Sequence, residues 1–195
     1  IRTEELLMRE AVSPDLNLIK KEIKGKNICV TGAGGSIGSE LCKKILEQTP
    51  NSLIMIDHSE PNIYALSNKL KNKKNPKQTK FILGSTCDYH LIQSTFQEFN
   101  IDTVFHAAAY KHVPIVEMNP LRGIENNSLS TNIICKSCIE SNVKRMVLIS
   151  TDKAVRPTSI MGASKRLAEL VVQGYSKKYP DFNFSLVRFG NVLGS

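Results

Sequence analysis

Residues 28–38 read ICVTGAGGSIG, and this stretch decides the fold. Residues of strand character run into a glycine-rich turn, and a helical pattern starts where the turn ends. The spacing of Gly32, Gly35 and Gly38 predicts a tight turn, a backbone open to close approach, and a helix packed closely on the strand. Because free N–H groups at a helix start attract anions, we expect the pyrophosphate of a dinucleotide there. The predicted phosphate-binding residues are Gly32, Gly34, Gly35, Ser36, Ile37 and Gly38.

Strand patterns and helix patterns alternate along the rest of the chain. Predicted strands cover residues 28–31, 53–57, 81–83, 104–106, 146–150 and 184–189, and predicted helices cover 38–48, 60–71, 90–99, 123–142 and 162–179. This alternation predicts an α/β fold with a doubly wound parallel sheet, the Rossmann fold, over residues 26–195. A polar lead-in precedes it at 1–25, with a turn or helix start at 13–15. The chain begins at Ile1 and stops just after the last predicted strand, so we expect a piece truncated before most of its C-terminal substrate domain.

Composition narrows the class of protein. The chain has 195 residues and a net charge of +8, and it contains no apolar run of the ~18 residues that a membrane helix needs. Many of the lysines lie between Lys69 and Lys80, but no aromatic residues interleave with them, which favours a solvated loop over a nucleic-acid site. The five cysteines are odd in number and mostly in apolar settings, which indicates a reducing, cytoplasmic compartment. Cys135-x-x-Cys138 falls inside a predicted helix with no second pair, so no metal site is expected.

Two further stretches extend the predicted dinucleotide site. Asp57 ends the second predicted strand, where a carboxylate can accept hydrogen bonds from the ribose hydroxyls and would repel the 2′-phosphate of NADP. This favours NAD, although Asp57 could also cap the following helix. After the fourth strand, small residues leave room for a flat ligand, or alternatively allow close helix–sheet packing. The cofactor contacts predicted in these stretches are Asp57, His58, Ser59, Ala107, Ala108 and Ala109.

A hydroxyl, an acid and a base lie together where the fifth predicted strand ends, at Ser150-Thr151-Asp152-Lys153. Met161 and Lys165 follow on one face of a predicted helix. With these residues the motifs VTGAGGSIGSEL, HAAAYKHVP, STDKAVRPT and MGASKR resemble the extended short-chain dehydrogenase/reductase superfamily. Within it the chain is similar, over nearly its whole length, to the nucleotide-sugar 4,6-dehydratases, in the branch of UDP-N-acetylglucosamine 4,6-dehydratases and polysaccharide biosynthesis proteins. Met161 stands where the superfamily usually carries tyrosine, a replacement that this branch shares.

The resemblance implies a lyase that works on a nucleotide sugar. Transient hydride transfer from C4 to NAD would acidify the C5 hydrogen, water would leave from C6, and the hydride would return there. By likeness to the family, Asp152 is the acid and Lys153 the base, Thr151 binds the C4 oxygen, and Lys165 binds the nicotinamide ribose and stabilises the C4 alkoxide. The C4 proton could leave through Thr151, Asp152 or a water. To act as an acid at pH 7, Asp152 needs a raised carboxyl pKa, and to act as a base, Lys153 needs a lowered amine pKa. The two opposite charges are adjacent, and they oppose both shifts.

The same resemblance extends the set of expected contacts. Ser150, Asp88 and Lys165 are expected at the cofactor, and the expected substrate ligands are Lys111, His112, Asn127 and Asn191. A homo-oligomer is expected, and a membrane anchor elsewhere in the full-length protein stays open, as does the stereochemistry at C5. Two alternatives remain: a nucleotide-sugar epimerase or reductase, and a non-catalytic NAD-binding regulatory module, which the absent tyrosine keeps open.

Overall fold

The computed structural model describes residues 13–71 and 78–192. Its centre is a six-stranded parallel sheet with the order β3-β2-β1-β4-β5-β6, which confirms the predicted Rossmann fold. All six predicted strands are present, and each begins one or two residues earlier than predicted. Their bounds are β1 Asn27–Thr31, β2 Ser52–Asp57, β3 Thr79–Leu83, β4 Thr103–His106, β5 Arg145–Thr151 and β6 Asn183–Phe189.

Helices cover both faces of this sheet. They are α1 Leu16–Ile23, α2 Ser36–Leu46, α3 Glu60–Lys69, α4 Tyr89–Glu98, α5 Val113–Met118, α6 Pro120–Ile124, α7 Ser130–Glu140 and α8 Ile160–Lys178. The predicted long helix at 123–142 is divided: it comprises the end of α6, a π-helical turn at Glu125–Leu129 and α7. The short helix α5 and the start of α6 were not predicted, and each of these helices has a proline in its first turn, where a missing N–H costs no hydrogen bond.

The polar lead-in contains a helix that is attached to the sheet. Asp15 caps α1 by accepting hydrogen bonds from the N–H groups of Asn17 and Leu18, so the predicted helix start is confirmed. Glu22 of this helix accepts a hydrogen bond from the guanidinium of Arg145, the first residue of β5. Three parts of the sequence predictions lie outside the described residues: positions 1–12 of the lead-in, positions 72–77 of the lysine-rich stretch and the chain end at 193–195.

The core has one apolar layer on each face of the sheet. Successive strand residues point to opposite faces, so Ile28 and Val30 pack with α2 and α3 whereas Cys29 packs with α4, α7 and α8. The central strands are buried on both faces, which explains their continuous apolar runs. The chain reverses its direction of winding between β1 and β4, and a crevice opens at the carboxyl ends of the strands there.

Candidate active site

The glycine-rich turn after β1 leaves no room for a side chain at Gly32, Gly34 or Gly38. Gly32 has a φ of +63°, and a Cβ there would lie 2.5 Å from the backbone nitrogen of Ala108. A Cβ on Gly38 would lie 2.1 Å from the carbonyl oxygen of Gly32, so α2 approaches the turn as closely as the spacing predicted. Among the described residues no side chain caps the start of α2. Its first N–H groups are therefore available to an anion.

Asp57 ties this turn to the end of β2. One carboxylate oxygen accepts a hydrogen bond from the Gly34 N–H at 2.9 Å, and the other accepts from the Ser59 N–H at 2.9 Å. Ser59, rather than Asp57, caps α3. A cavity of about 120 Å³ lies beside Asp57, and the predicted residues that line it are Gly32, Gly35, Asp57, His58, Ala107, Ala108 and Ala109.

Asp88 lies elsewhere in this region. Its carboxylate caps α4 by accepting from the Leu91 N–H at 3.0 Å. The small cavity is lined instead by Gly84 and Thr86 from the same loop. The side chain of Asp88 therefore has a structural role as the cap of α4, and its expected contact with the cofactor stays a prediction.

A larger cavity of about 680 Å³ continues along the strand ends, within the size range of small-molecule sites. It brings the phosphate-binding turn and the chemical residues together. The predicted residues lining it are Gly32, Gly35, Ser36, Ile37, Gly38, Ala107, Ala109, Lys111, His112, Ser150, Thr151, Lys153, Met161, Lys165 and Asn191. Tyr110, in the stretch that the sequence placed along the substrate cleft, also lines it. Its wall further contains residues from the end of β5, the α5–α6 region and the end of β6 with the segment after it: Ile149, Ile115, Val116, Asn119, Arg122, Phe189, Gly190 and Val192.

Three side chains at the end of β5 form one hydrogen-bonded group. The Thr151 hydroxyl donates to an oxygen of Asp152 at 3.0 Å, and the Lys153 ammonium donates to the same oxygen at 3.2 Å. Lys153 also donates to the side-chain oxygen of Asn191 at 3.1 Å. The hydrogen bonds from Thr151 and Lys153 hold the pKa of Asp152 below its usual range. The adjacent opposite charge opposes the raised carboxyl pKa that an acid needs, as expected from the sequence, and here both neighbours stabilise the carboxylate.

Met161 and Lys165 lie one turn apart near the start of α8, and both are almost fully buried. The Lys165 ammonium donates to the carbonyl oxygen of Ile149 at 2.8 Å. Burial lowers the pKa of Lys165 to about 8, although the nearby carboxylate of Glu169 works in the opposite direction. This lysine therefore sits close to its titration point at neutral pH.

Asn127 is buried in the π-helical turn, and its amide group is engaged by protein atoms. Its side-chain oxygen accepts from the Tyr110 N–H at 2.7 Å, and its nitrogen donates to the Tyr110 carbonyl at 3.1 Å and to the Ser164 hydroxyl at 2.9 Å. Both amide hydrogens are thus used within the protein. Asn127 connects α8 to the loop that carries Lys111 and His112, so it shapes the cavity from behind.

His106 at the end of β4 is fully buried. Its ring nitrogens lie 2.7 Å from the Thr31 hydroxyl and 3.2 Å from the Thr131 hydroxyl. Burial, with a smaller contribution from Lys165, lowers the pKa of His106 to about 3, so the ring is neutral at physiological pH. The histidine therefore joins β1, β4 and α7 beneath the cavity without adding charge.

Fold and cavity together define a Rossmann domain with a group of polar side chains at the carboxyl end of β5. The model of one protein family, described as "Polysaccharide biosynthesis protein", matches residues 28–195, and the chain belongs to this family. None of the helices in 13–71 and 78–192 combines the length and apolar character that crossing a membrane requires. Across the same ranges no group of histidine, cysteine, aspartate and glutamate is arranged to hold a metal ion.

Curated relatives share the sequence over most of the chain. The capsular polysaccharide biosynthesis protein CapD of Staphylococcus aureus is 42% identical over 196 residues, covering 100% of this chain and 33% of that protein. An inverting UDP-N-acetylglucosamine 4,6-dehydratase of Campylobacter jejuni is 33% identical over 88% of this chain and 50% of its own length. A UDP-glucose 4-epimerase of Rickettsia canadensis is 32% identical over 87% of this chain and 50% of its own length. The chain thus spans between a third and a half of these relatives.

Solved structures share the fold. Pen from Bacillus thuringiensis superposes with a TM-score of 0.83 at 32% identity, covering 89% of this chain and 54% of that one. The dTDP-glucose 4,6-dehydratase DesIV from Streptomyces venezuelae, solved with NAD bound, gives a TM-score of 0.74 at 22% identity, covering 83% of this chain and 55% of that one.

Proposed function

We propose that this chain is the NAD-binding part of a nucleotide-sugar 4,6-dehydratase, and that its substrate is UDP-N-acetylglucosamine. One observation carries the proposal: Thr151 and Lys153 line the same cavity as the glycine-rich turn, and Asp152 is hydrogen-bonded to both. A dehydratase needs an acid and a base beside the carbon that the cofactor oxidises, and this arrangement supplies both. Membership of the polysaccharide biosynthesis family and likeness to the Campylobacter dehydratase support the substrate class.

The residues present fit an adenine dinucleotide. Side chains at Gly32 and Gly38 would collide with backbone, so the turn presents bare main chain beside the uncapped start of α2. These features suit a pyrophosphate. Asp57 lines the smaller cavity, where a carboxylate favours a ribose with free hydroxyls, which fits NAD better than NADP. When bound, NAD would supply a reversible hydride acceptor.

Asp152 has two successive roles in this proposal. It starts as a carboxylate, so it can take the C4 hydroxyl proton through the Thr151 hydroxyl as C4 is oxidised. Once protonated, it is the acid that the departing C6 hydroxyl requires. Lys153, whose anionic partner is then neutral, is the proposed base for the C5 hydrogen. In this order Asp152 is protonated before the elimination step, so the ion pair between Asp152 and Lys153 is absent when water leaves.

Lys165 and Met161 complete the site in different ways. Lys165 is a cation held by a backbone carbonyl, and it lines the cavity where an alkoxide would develop at C4. Met161 fills the wall beside it with a thioether that cannot carry a proton. Proton transfer at C4 is therefore assigned to the pair Thr151 and Asp152.

Incubating the whole protein with NAD and UDP-N-acetylglucosamine tests the proposal. We expect a product lighter by one water, and we expect Asp152→Asn and Lys153→Ala to abolish its formation. Lys177→Ala, at the far end of α8, is the control that should retain activity. A product of unchanged mass with inverted C4 would instead favour a 4-epimerase, the activity named for the Rickettsia relative. Normal turnover by both site variants would refute the assigned roles.

A further inference from the structure

A fully buried carboxylate lies behind the candidate site. Glu169 of α8 has no exposed side-chain surface, and it accepts four hydrogen bonds. The Ser150 hydroxyl donates to it at 2.7 Å, Arg188 donates through two nitrogens at 2.8 and 2.7 Å, and Arg166 donates at 2.9 Å. The hydrogen bonds from Arg188 are the main reason that the pKa of Glu169 is lowered to about 2. A buried ionic group of this kind is a poor source of stability compared with apolar packing, so its retention calls for another explanation.

The partners of Glu169 lie on elements that lead into the cavity. Ser150 immediately precedes Thr151 at the end of β5, and Arg188 pairs with Ser150 in the β5–β6 ladder. The segment after Arg188 carries Asn191, whose side chain accepts the hydrogen bond from Lys153. One carboxylate therefore holds two neighbouring strand ends against α8, at the level where both strands enter the site.

We propose that Glu169 is a positioning residue for the dehydration proposed above: by fixing the ends of β5 and β6 against α8, it keeps Lys153 between Asp152 and Asn191. The inference rests on the proposed function for its kinetic consequence, but the positioning of Lys153 can be measured independently. Arg188 links Glu169 to the position of Lys153, because this arginine is itself a residue of β6. The ion pair between Arg166 and Glu169 lies within α8, because the two residues are three positions apart in that helix.

The two arginines provide a matched comparison. Each donates to Glu169, and each side chain is 38% exposed. In the whole protein we expect Arg188→Met to lower kcat by about 10²-fold, the scale of a misplacement of roughly 1 Å, with little change in the KM for UDP-N-acetylglucosamine. Arg166→Met should keep kcat within about twofold. Equal losses of kcat in the two variants would overturn the proposal.

A double variant separates positioning from stability. Arg188→Met combined with Glu169→Met replaces the ion pair by apolar groups, and such exchanges are often neutral or stabilising. We expect this variant to melt at or near the wild-type temperature while its kcat stays as low as that of Arg188→Met. Recovery of kcat along with stability would show a merely structural role and would sink the proposal.

A spectroscopic measurement works without turnover. With isotope-labelled lysine, the side-chain amine resonance of Lys153, assigned by its loss in Lys153→Arg, should shift in Arg188→Met and stay unchanged in Arg166→Met. If the wild-type protein fails to dehydrate the sugar nucleotide, the proposed function fails and this shift still tests the positioning of Lys153. An unmoved resonance in Arg188→Met would overturn the positioning whatever the substrate is.

Discussion

Replacing Gly38 by alanine tests the close contact between α2 and the turn after β1. Glycine-to-alanine exchange inside a helix normally stabilises it by about 1 kcal/mol. At Gly174 in α8 a new Cβ meets nothing within 4 Å, so Gly174→Ala should show this gain. At Gly38 the same Cβ would lie 2.1 Å from the Gly32 carbonyl oxygen and 2.9 Å from the Ala33 Cα, both main-chain atoms that cannot swing away.

Both variants share the gain in helix propensity. Their free energies of unfolding should therefore differ only by the steric cost at Gly38, about 1–3 kcal/mol as at other overpacked sites. Urea unfolding of the 195-residue chain, followed by far-ultraviolet circular dichroism, measures the difference. Calorimetric titration with NAD should show weaker binding to Gly38→Ala, because relief of the clash moves the turn away from α2, and unchanged binding to Gly174→Ala. Equal stabilisation of both variants would refute the close-packing argument.

Two further predictions concern buried titratable groups. The pKa of His106 is lowered from 6.5 to about 3, so the unfolded chain binds its proton more readily, and the free energy of unfolding should fall as pH decreases from about 6.5 toward 3. His106→Gln should remove that part of the slope in urea unfolding across this range; an unchanged slope would contradict the assignment. Lys165→Met should raise the free energy of unfolding at pH 7 by about 2 kcal/mol, after allowing for the lost hydrogen bond to Ile149, while abolishing turnover. This gain should shrink as pH rises from about 8 toward 10.5, because Lys165 of the wild-type protein is then neutral when folded and burying it no longer costs a charge. A difference between the two proteins that does not depend on pH would contradict the lowered pKa of Lys165.

The parts of the fold that could be predicted depend on local signals. The strands are continuous apolar runs, and the turn after β1 is specified by glycines whose absent side chains the geometry requires. The short helix α5 and the start of α6 were missed because Pro114 and Pro120 interrupt the apolar periodicity, although proline is well tolerated in a first turn. The π-helical turn at Glu125–Leu129 was missed because its extra residue leaves the helical pattern on either side intact.

The candidate site was predictable in its members and less so in its contacts. Strand-end position placed Thr151 and Lys153 at the cavity, but the lowered pKa of Asp152 depends on hydrogen-bond geometry that spacing does not give. Glu169 carried no signal, because its partners Ser150 and Arg188 each lie 19 residues away and only the folded sheet brings them together. Arg188 is a charged residue near the end of β6, but its position in the sequence does not say which carboxylate it meets.

The boundary between β1 and β4 divides the sheet into two halves, and each half contributes a different part of the candidate site. The loops after β1 and β2 meet the smaller cavity around Asp57, whereas Thr151 at the end of β5, Lys153 after it and Asn191 after β6 line the larger one. The residues beside the glycine-rich turn and the polar group at the end of β5 therefore stand on different strand ends of one sheet, so either set can differ between proteins that share the fold. Relatives named as a dehydratase and as an epimerase match this one chain at 33% and 32% identity, which is consistent with one fold that serves more than one reaction.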